Sequence, residues 1–209
     1  MISLFLDTSS KKLNVILVKD NKIIFEKNIE TKNDHAEFTV PFIEEGLKNN
    51  NLETKDIDKI FVVNGPGSFT GTRIGVTVSK TICYANDINV IPVSSLKQFI
   101  FLNDKYDYYV SMIIDKNDKL YYGIYDKDYN DIVMDKYSTT TDLNNDVSKL
   151  QGSIVFISDK SIDGYNTINQ ELNIIKLIDY YKDKGINSFS LKPNYLKKIE
   201  VEEKLWLKK

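Results

Sequence analysis

The residues with most chemical potential lie between Gly65 and Gly75, in Gly65-Pro66-Gly67-Ser68-Phe69-Thr70-Gly71-Thr72-Arg73-Ile74-Gly75. The apolar run Ile60–Val63 leads in, and Ile74, Val78 and Ile82 lead out at helical spacing. The pattern predicts a strand, a glycine-rich turn and a helix. Four glycines in eleven residues point to positive φ or to a very close approach of other chain. Ser68 and Thr70 are suited to capping the helix, whose first-turn amides point back into the turn. Such a turn can hold an anion, or it can be a structural corner that lets a helix pack tightly on a sheet. It is not a P-loop, because Thr72-Arg73 follows Gly71 where that motif needs lysine and a hydroxyl. No G-x-G-x-x-G runs through Gly65, Gly67 and Gly71 either. Nucleophile and metal chemistry are restricted by numbers. With one histidine, His35, and one cysteine, Cys83, neither a CxxC zinc site nor a paired-histidine site can form within one chain. Cys83 follows Ile82 on the helix and reads as a small buried hydrophobe. His35 and Thr39 share a helix face, but threonine is a poor ligand, so His35 reads as a partly exposed residue near a helix start.

The elements that must position these residues follow from the chain order. Ile2–Asp7, Leu13–Val18 and Lys22–Ile29 read as a three-stranded antiparallel meander with Asp20-Asn21 as a hairpin turn. Asn33-Asp34 offers an N-cap, with Glu37 completing a capping box, for a helix over His35–Asn49 that Pro41 should kink or delay. Ile60–Val63 is a strand and Ile74–Asn86 a helix. Val90–Val93 is a short strand, and Ser94 or Ser95 caps a third helix through Phe101. The composition shifts after residue 103, with twelve of the 13 tyrosines beyond it. Tyr108–Asp115 and Lys119–Asp126 read as a hairpin and Ile132–Ser138 as a third strand. A helix to Leu150 and a strand over Ser153–Ser158 follow. Ser161–Gln170 is loop-like, Ile174–Lys184 is a helix, with a strand over Leu172–Ile178 as the alternative, and Ser190–Lys209 is a charged tail with one tryptophan. Shifting the sequence by 108 matches Ser3 to Ser111, Asp7 to Asp115, Ile16 to Ile124 and Ile24 to Ile132. A duplicated half-domain explains this; chance likeness of two charged hairpins is the alternative. The expected division is 1–103 and 104–209.

At 209 residues with 42% hydrophobic content, the chain can bury a substantial core. A net charge of −2, from 28 basic and 30 acidic residues, gives no overall field for nucleic acid. No apolar run approaches membrane-spanning length, and Met1-Ile2-Ser3-Leu4 begins a strand rather than a signal peptide. A single cysteine suits a reducing compartment, so the expected location is the cytoplasm, with no membrane partner.

The glycine stretch closely resembles the GPGSFTG-hydrophobic-RIG signature of the TsaB (YeaZ) family, with Thr72 where an aliphatic residue is usual. Leu6-Asp7-Thr8-Ser9, His35-Ala36-Glu37 through Pro41, Val93-Ser94-Ser95-Leu96 and Pro193-Asn194-Tyr195-Leu196 also fit, with Lys197 at a usual arginine. The resemblance implies an α/β, actin-like and ribonuclease-H-like (ASKHA) fold of two half-domains, each opening with a three-stranded meander. It implies a non-catalytic subunit that binds and activates a TsaD-type threonylcarbamoyltransferase, acting with a TsaE-type ATPase and a TsaC-type synthase. Their product is N6-threonylcarbamoyladenosine next to the anticodon of tRNAs reading ANN codons, with tRNA reached only through the complex. TsaD carries two metal-binding histidines four apart; here His35 keeps the first position and Thr39 takes the second, so no metal is expected. No transferase, protease or substantial ATPase activity is expected of the chain alone. No cofactor is expected in the isolated chain; ATP or ADP has a place only at the complex interface. The alternative is an independent actin-like-fold ATPase or kinase, with Asp7, Thr8 and Ser9 as a first phosphate loop and Asp115-Lys116-Asn117 as its counterpart. Both lack the glycine that lets backbone approach phosphate. A purely structural homodimer module is a third reading, compatible with the first. The expected partner surface, for a second copy and for TsaD alike, is the outward face of the two helices, at Val40, Ile43, Val76 and Tyr84. Wide apolar arcs on both helices motivate it.

Overall fold

The computed structural model describes residues 1–32 and 34–197. Its chain packs as two compact units, Met1–Gln98 with Asn173–Asn194, and Phe99–Leu172 with Tyr195, Leu196 and Lys197. The chain thus returns to the first unit at Asn173, a return that the composition shift near residue 103 does not announce.

In the first unit, β1 (Ile2–Asp7), β2 (Lys12–Lys19), β3 (Lys22–Glu30), β4 (Lys59–Gly65) and β5 (Val90–Ser94) form one sheet in the order β3-β2-β1-β4-β5. β1 runs antiparallel to β2 and β2 to β3, whereas β4 and β5 are parallel to β1. Asp20 and Asn21 turn the β2–β3 hairpin with φ of 48° and 62°, a conformation that short polar side chains tolerate best. The central strands β1 and β4 are buried on both faces, which is why they read as continuous apolar runs rather than alternations. One face, carrying Leu4, Leu6, Leu13, Val15, Leu17, Ile60 and Val62, shares a core with Ile43 and Leu47 of α1 (His35–Asn49) and with Val76 and Cys83 of α2 (Phe69–Asn86). α4 (Ile174–Tyr181) buries Ile174, Leu177 and Ile178.

The second unit repeats the plan. Its strands are β6 (Tyr108–Ile114), β7 (Lys119–Asp126), β8 (Asp131–Thr139), β9 (Ile154–Ser158) and β10 (Thr167–Asn169). They lie in the order β10-β9-β6-β7-β8, again with two antiparallel and two parallel pairings. The order is the first sheet's, element for element. The 108-residue shift superimposes β1 to β3 on β6 to β8 within two residues at each end. α3 (Thr140–Val147) is capped by Thr139, whose hydroxyl accepts from the Asp142 amide, and covers Val110, Met112, Tyr122 and Ile124 through Leu143. The counterpart of α2 is gone: β9 reaches β10 through a non-helical connection.

Several local expectations need correction. α2 begins at Phe69, five residues early, because Ser68 caps it inside the glycine stretch. The helix expected after Ser94 is only a 3-10 turn over Lys97–Phe99. Residues 161–170 include the short strand β10, and the helix from Ile174 stops at Tyr181. Asp34 precedes α1 without a side-chain cap; its carboxylate instead accepts from the Lys32 amide, 3.0 Å away. Asn33 and the tail beyond Lys197 lie outside the described residues.

Candidate functional site

The glycine turn and the end of β1 form one interlocked corner. Gly65 has φ +113°, and a Cβ there would come within 2.7 Å of the Asn194 carbonyl oxygen. A Cβ at Gly67 would collide with the Ser9 carbonyl, one at Gly71 with the Thr8 carbonyl, and one at Gly75 would sit 2.5 Å from Thr8 Oγ1. Each glycine therefore clears space for backbone or side chain of this same protein. The polar groups close the corner. Thr8 Oγ1 donates to the Gly71 carbonyl at 2.7 Å and accepts from the Gly75 amide at 3.1 Å. The Ser68 amide donates to the Ser9 carbonyl at 2.6 Å. Ser68 Oγ accepts from the Gly71 amide at 3.1 Å.

Asp7, Thr8 and Ser9 are all buried. Asp7 Oδ1 accepts from the Ser9 amide and the Ser9 hydroxyl, each at 2.7 Å, and Oδ2 accepts from Gln98 Nε2 at 3.0 Å. Ser95 Oγ donates to Ser9 Oγ at 3.1 Å. Burial pushes the Asp7 carboxyl above its usual range, against the opposing pull of the Ser9 and Gln98 hydrogen bonds. A phosphate cradle needs several amides aimed outward at one point. Here the amides of Ser9, Ser68, Gly71 and Gly75 are all taken by the protein's own oxygens. The residues present do not fit a nucleotide. The second-half counterpart is closed differently: Asp115 Oδ2 accepts from Lys197 Nζ at 2.7 Å and from the Tyr137 hydroxyl at 2.8 Å. Burial opposes ionisation of Asp115, yet the hydrogen bonds from Lys197 and Tyr137 hold its carboxyl below the usual range. Nothing in the sequence pairs Lys197 with Asp115; only the shared strand plan makes that aspartate the place to look.

His35 is buried, not partly exposed. Thr31 Oγ1 lies 3.1 Å from its ring nitrogens, and Thr39 Oγ1 donates back to the His35 carbonyl at 2.6 Å. Thr39 thus turns onto its own helix rather than toward the imidazole. Among the described residues, no group of three or more His, Cys, Asp or Glu side chains converges. Cys83 is buried, and desolvation pushes its thiol to about 12.

The outward face of α1 and α2 carries an open cleft. A cleft of about 390 Å³ is lined by Ala36 of α1 and by Phe69, Thr70, Arg73, Ile74, Thr77 and Val78 of α2. The Arg73 guanidinium stands 3.9 Å from the Phe69 ring centroid. Val40, 45% exposed, continues the α1 side. Of the four residues expected on this face, Val40 and Tyr84 are on it. Ile43 and Val76, 2% and 5% exposed, are not: their spacing turns them into the sheet–helix core. The wide arcs read from the sequence thus held core and surface residues together.

The segment after α4 was missed entirely as part of this face. Ile186 pairs with Val90, Lys80 Nζ donates to the Phe189 carbonyl at 3.2 Å, and Asn64 Nδ2 donates to the Lys192 carbonyl at 3.0 Å. The Asn194 amide donates to the Asn64 carbonyl at 2.7 Å. Residues 186–194 are therefore a strap from the β5 edge, across α2, to the glycine turn. Among the described residues, no helix is long and apolar enough to cross a membrane.

Against known proteins, residues 24–155 match the family model for TsaD, tRNA N6-adenosine threonylcarbamoyltransferase. The chain is 34% identical over 126 residues to the tRNA threonylcarbamoyladenosine biosynthesis protein TsaB of Bacillus subtilis, covering 60% of this chain and 55% of that one. It is 32% identical over 93 residues to the protein of the same name from Haemophilus influenzae, covering 44% and 39%. The match thus spans about half the length of these curated relatives, or less. The solved structure of YeaZ from Pseudomonas aeruginosa superimposes with a TM-score of 0.72 at 17% identity, over 93% of this chain and 99% of that one. That likeness is one of fold.

Proposed function

The chain belongs to the TsaB (YeaZ) family, and from that premise we propose that it is a non-catalytic subunit in the making of N6-threonylcarbamoyladenosine on tRNA. In this role it binds and activates a TsaD-type threonylcarbamoyltransferase through the outward face of α1 and α2. The observation that carries the reading is a contrast within one corner. The loop that an actin-like enzyme would offer to phosphate is filled by the chain's own glycine turn. The helix that springs from that turn, α2, leaves with α1 an apolar cleft open beside it. A fold that has closed its phosphate loop and exposes a helix pair is suited to assembly rather than turnover.

A second copy of the chain competes for the same face. On α2, Arg73, Thr77, Thr81 and Tyr84 are exposed at helical spacing and form one stripe along its length. A two-fold antiparallel pairing of such stripes sets Arg73 against Tyr84 at both ends and threonines in the middle, which is the self-complementarity of an isologous interface. The homodimer is then the resting form that the transferase displaces. A TsaE-type ATPase and tRNA join through the complex, and ATP or ADP is held at its junctions rather than at Asp7.

Sedimentation of the full chain with and without a TsaD-type protein tests this. Val40→Lys and Thr77→Lys should fold as wild type and weaken both assemblies, since each sets a charge in a face that association desolvates. If both variants assemble as wild type does, the interface lies elsewhere.

A further inference from the structure

The glycine corner grips only the first part of α2. Gly71 and Gly75 seat against Thr8, but at 1.5 Å per residue Lys80 and Tyr84 lie roughly 14 and 20 Å beyond Gly71. That far end of the helix is met by the strap. The middle of the strap is the 3-10 turn Ser188–Ser190, opened by Asn187, whose side chain accepts from the Phe189 amide at 2.9 Å. With three residues per turn, Ser188 and Leu191 fall on one side and Phe189 on another. Ser188 and Leu191 are buried, Leu191 in the same core as Val76 and Cys83 of α2. Phe189 is turned outward, 65% exposed, and its ring meets that of Tyr84 edge to face with centroids 5.3 Å apart.

The strap is fastened at its start, its end and its middle. At the start, Ile186 and Val90 exchange backbone bonds of 2.8 and 3.0 Å. At the end, Asn64 holds the Lys192 carbonyl through its side chain and the Asn194 amide through its own carbonyl. Both of these tie the strap to the sheet. The middle is tied to α2 by Lys80, whose Nζ donates to the carbonyls of Phe189 at 3.2 Å and Leu191 at 3.5 Å. Carbonyls that end a helical turn lack partners within it, and an ammonium is suited to cover them. A tyrosine in the last turn of a surface helix, left alone, samples several rotamers. Contact with a ring whose own backbone is pinned on both sides selects one of them.

We propose that the strap is a positioning element for the docking face, with Lys80 as its positioning residue. By holding Phe189 against Tyr84, Lys80 fixes the Tyr84 ring in the pose that a TsaD-type partner meets. The inference rests on the docking reading above and deepens it: affinity depends on a segment 109 residues from Lys80 in the chain. The gain is preorganisation, since a ring already ordered does not lose that freedom on binding.

The test uses the full chain labelled with fluorotyrosine at its 13 tyrosines, with the Tyr84 resonance identified by its loss in Tyr84→Phe. In the free wild-type chain that resonance should be displaced by the ring current of Phe189. Phe189→Ala and Lys80→Met should both move it toward the value of a free tyrosine, and Lys80→Arg should restore it. Calorimetric titration of unlabelled chain into a TsaD-type protein should show Lys80→Met weakening association roughly 2- to 10-fold, the cost of ordering one side chain. Lys80→Arg should recover the affinity. In a Tyr84→Ala background, Lys80→Met should weaken association no further. A Tyr84 resonance indifferent to Lys80→Met overturns the proposal. Equal losses from Lys80→Met in both backgrounds overturn it too, since Lys80 would then touch the partner itself. If wild type binds no TsaD-type protein, the docking reading fails, whereas the positioning of Tyr84 by Lys80 stands or falls on the resonance alone.

Discussion

Gly71→Ala is the sharpest perturbation of the corner. Ordinary contact for a Cβ begins near 3.4 Å, and at Gly71 the new carbon would overlap the Thr8 carbonyl oxygen by more than about an ångström. That oxygen is backbone, at the buried end of β1, and cannot swing aside as a side-chain tip can. Relief requires α2 to move off the Asp7–Ser9 loop, which breaks the bonds from Thr8 Oγ1 to the Gly71 carbonyl and from the Gly75 amide to Thr8 Oγ1. Two buried hydrogen bonds at about 1 kcal/mol each and an overpacking strain of about 1–3 kcal/mol sum to roughly 3–5 kcal/mol. For a chain of this length that is a melting point lower by roughly 6–20 °C. Urea unfolding followed by far-ultraviolet circular dichroism reads the loss, with exposed Thr77→Ala as a control expected within about 0.5 kcal/mol. If the glycines instead kept room for a ligand, Gly71→Ala would leave the ligand-free protein as stable as wild type. A loss under about 1 kcal/mol would refute the interlock.

Asp7→Asn should be nearly neutral or stabilising at pH 7, because Gln98 can turn its otherwise unpartnered Oε1 toward the new amide. Asp7 has a raised folded pKa, so the native state holds its proton longer and wild type loses stability as pH rises from about 4 through that pKa. Urea titrations should show the variant gaining on wild type across that window. Asp146 is the opposite case: Lys136, 2.8 Å away, with Lys149 and Tyr122, draws its carboxyl down to about 2. Its contribution is present above the ordinary carboxylate value of about 4 and is lost as pH falls toward 2; Asp146→Asn should remove that part of the acid dependence. The Cys83 thiol, buried and held near 12, should resist a disulfide-exchange reagent at pH 8 in native protein and react at once in denaturant.

The strands were legible because both kinds of strand announce themselves: β2 and β7 by hairpin punctuation, β1 and β4 by unbroken apolar runs. The repeated strand plan was legible for the same reason, since one shift carries both hairpins along. What failed was whatever depends on a distant partner. Ser94 does offer caps, accepting from the amides of Leu96 and Lys97 at 3.1 and 3.3 Å, but Gln98 is drawn to Asp7 and the helix ends after one turn. His35 reads as a partly exposed first-turn residue because Thr31, which buries beside it, belongs to the preceding loop. The glycines were readable as either cradle or corner; the decision came from Thr8 and Ser9, about 60 residues upstream. Ile43 and Val76 could not be told from Val40 by hydrophobicity alone.

The most direct test of the central claim is reconstitution of threonylcarbamoyl transfer. A TsaD-type enzyme, a TsaC-type synthase with its substrates and an unmodified ANN-decoding tRNA would be assayed without the chain, with wild type and with Val40→Lys. Activation is predicted to require the chain, to be weakened by Val40→Lys in proportion to its lost association, and to survive Asp7→Asn, since the Asp7 carboxylate is engaged by Ser9 and Gln98 within the chain. Equal turnover with and without the wild-type chain, or activation abolished by Asp7→Asn in a folded protein, would contradict it.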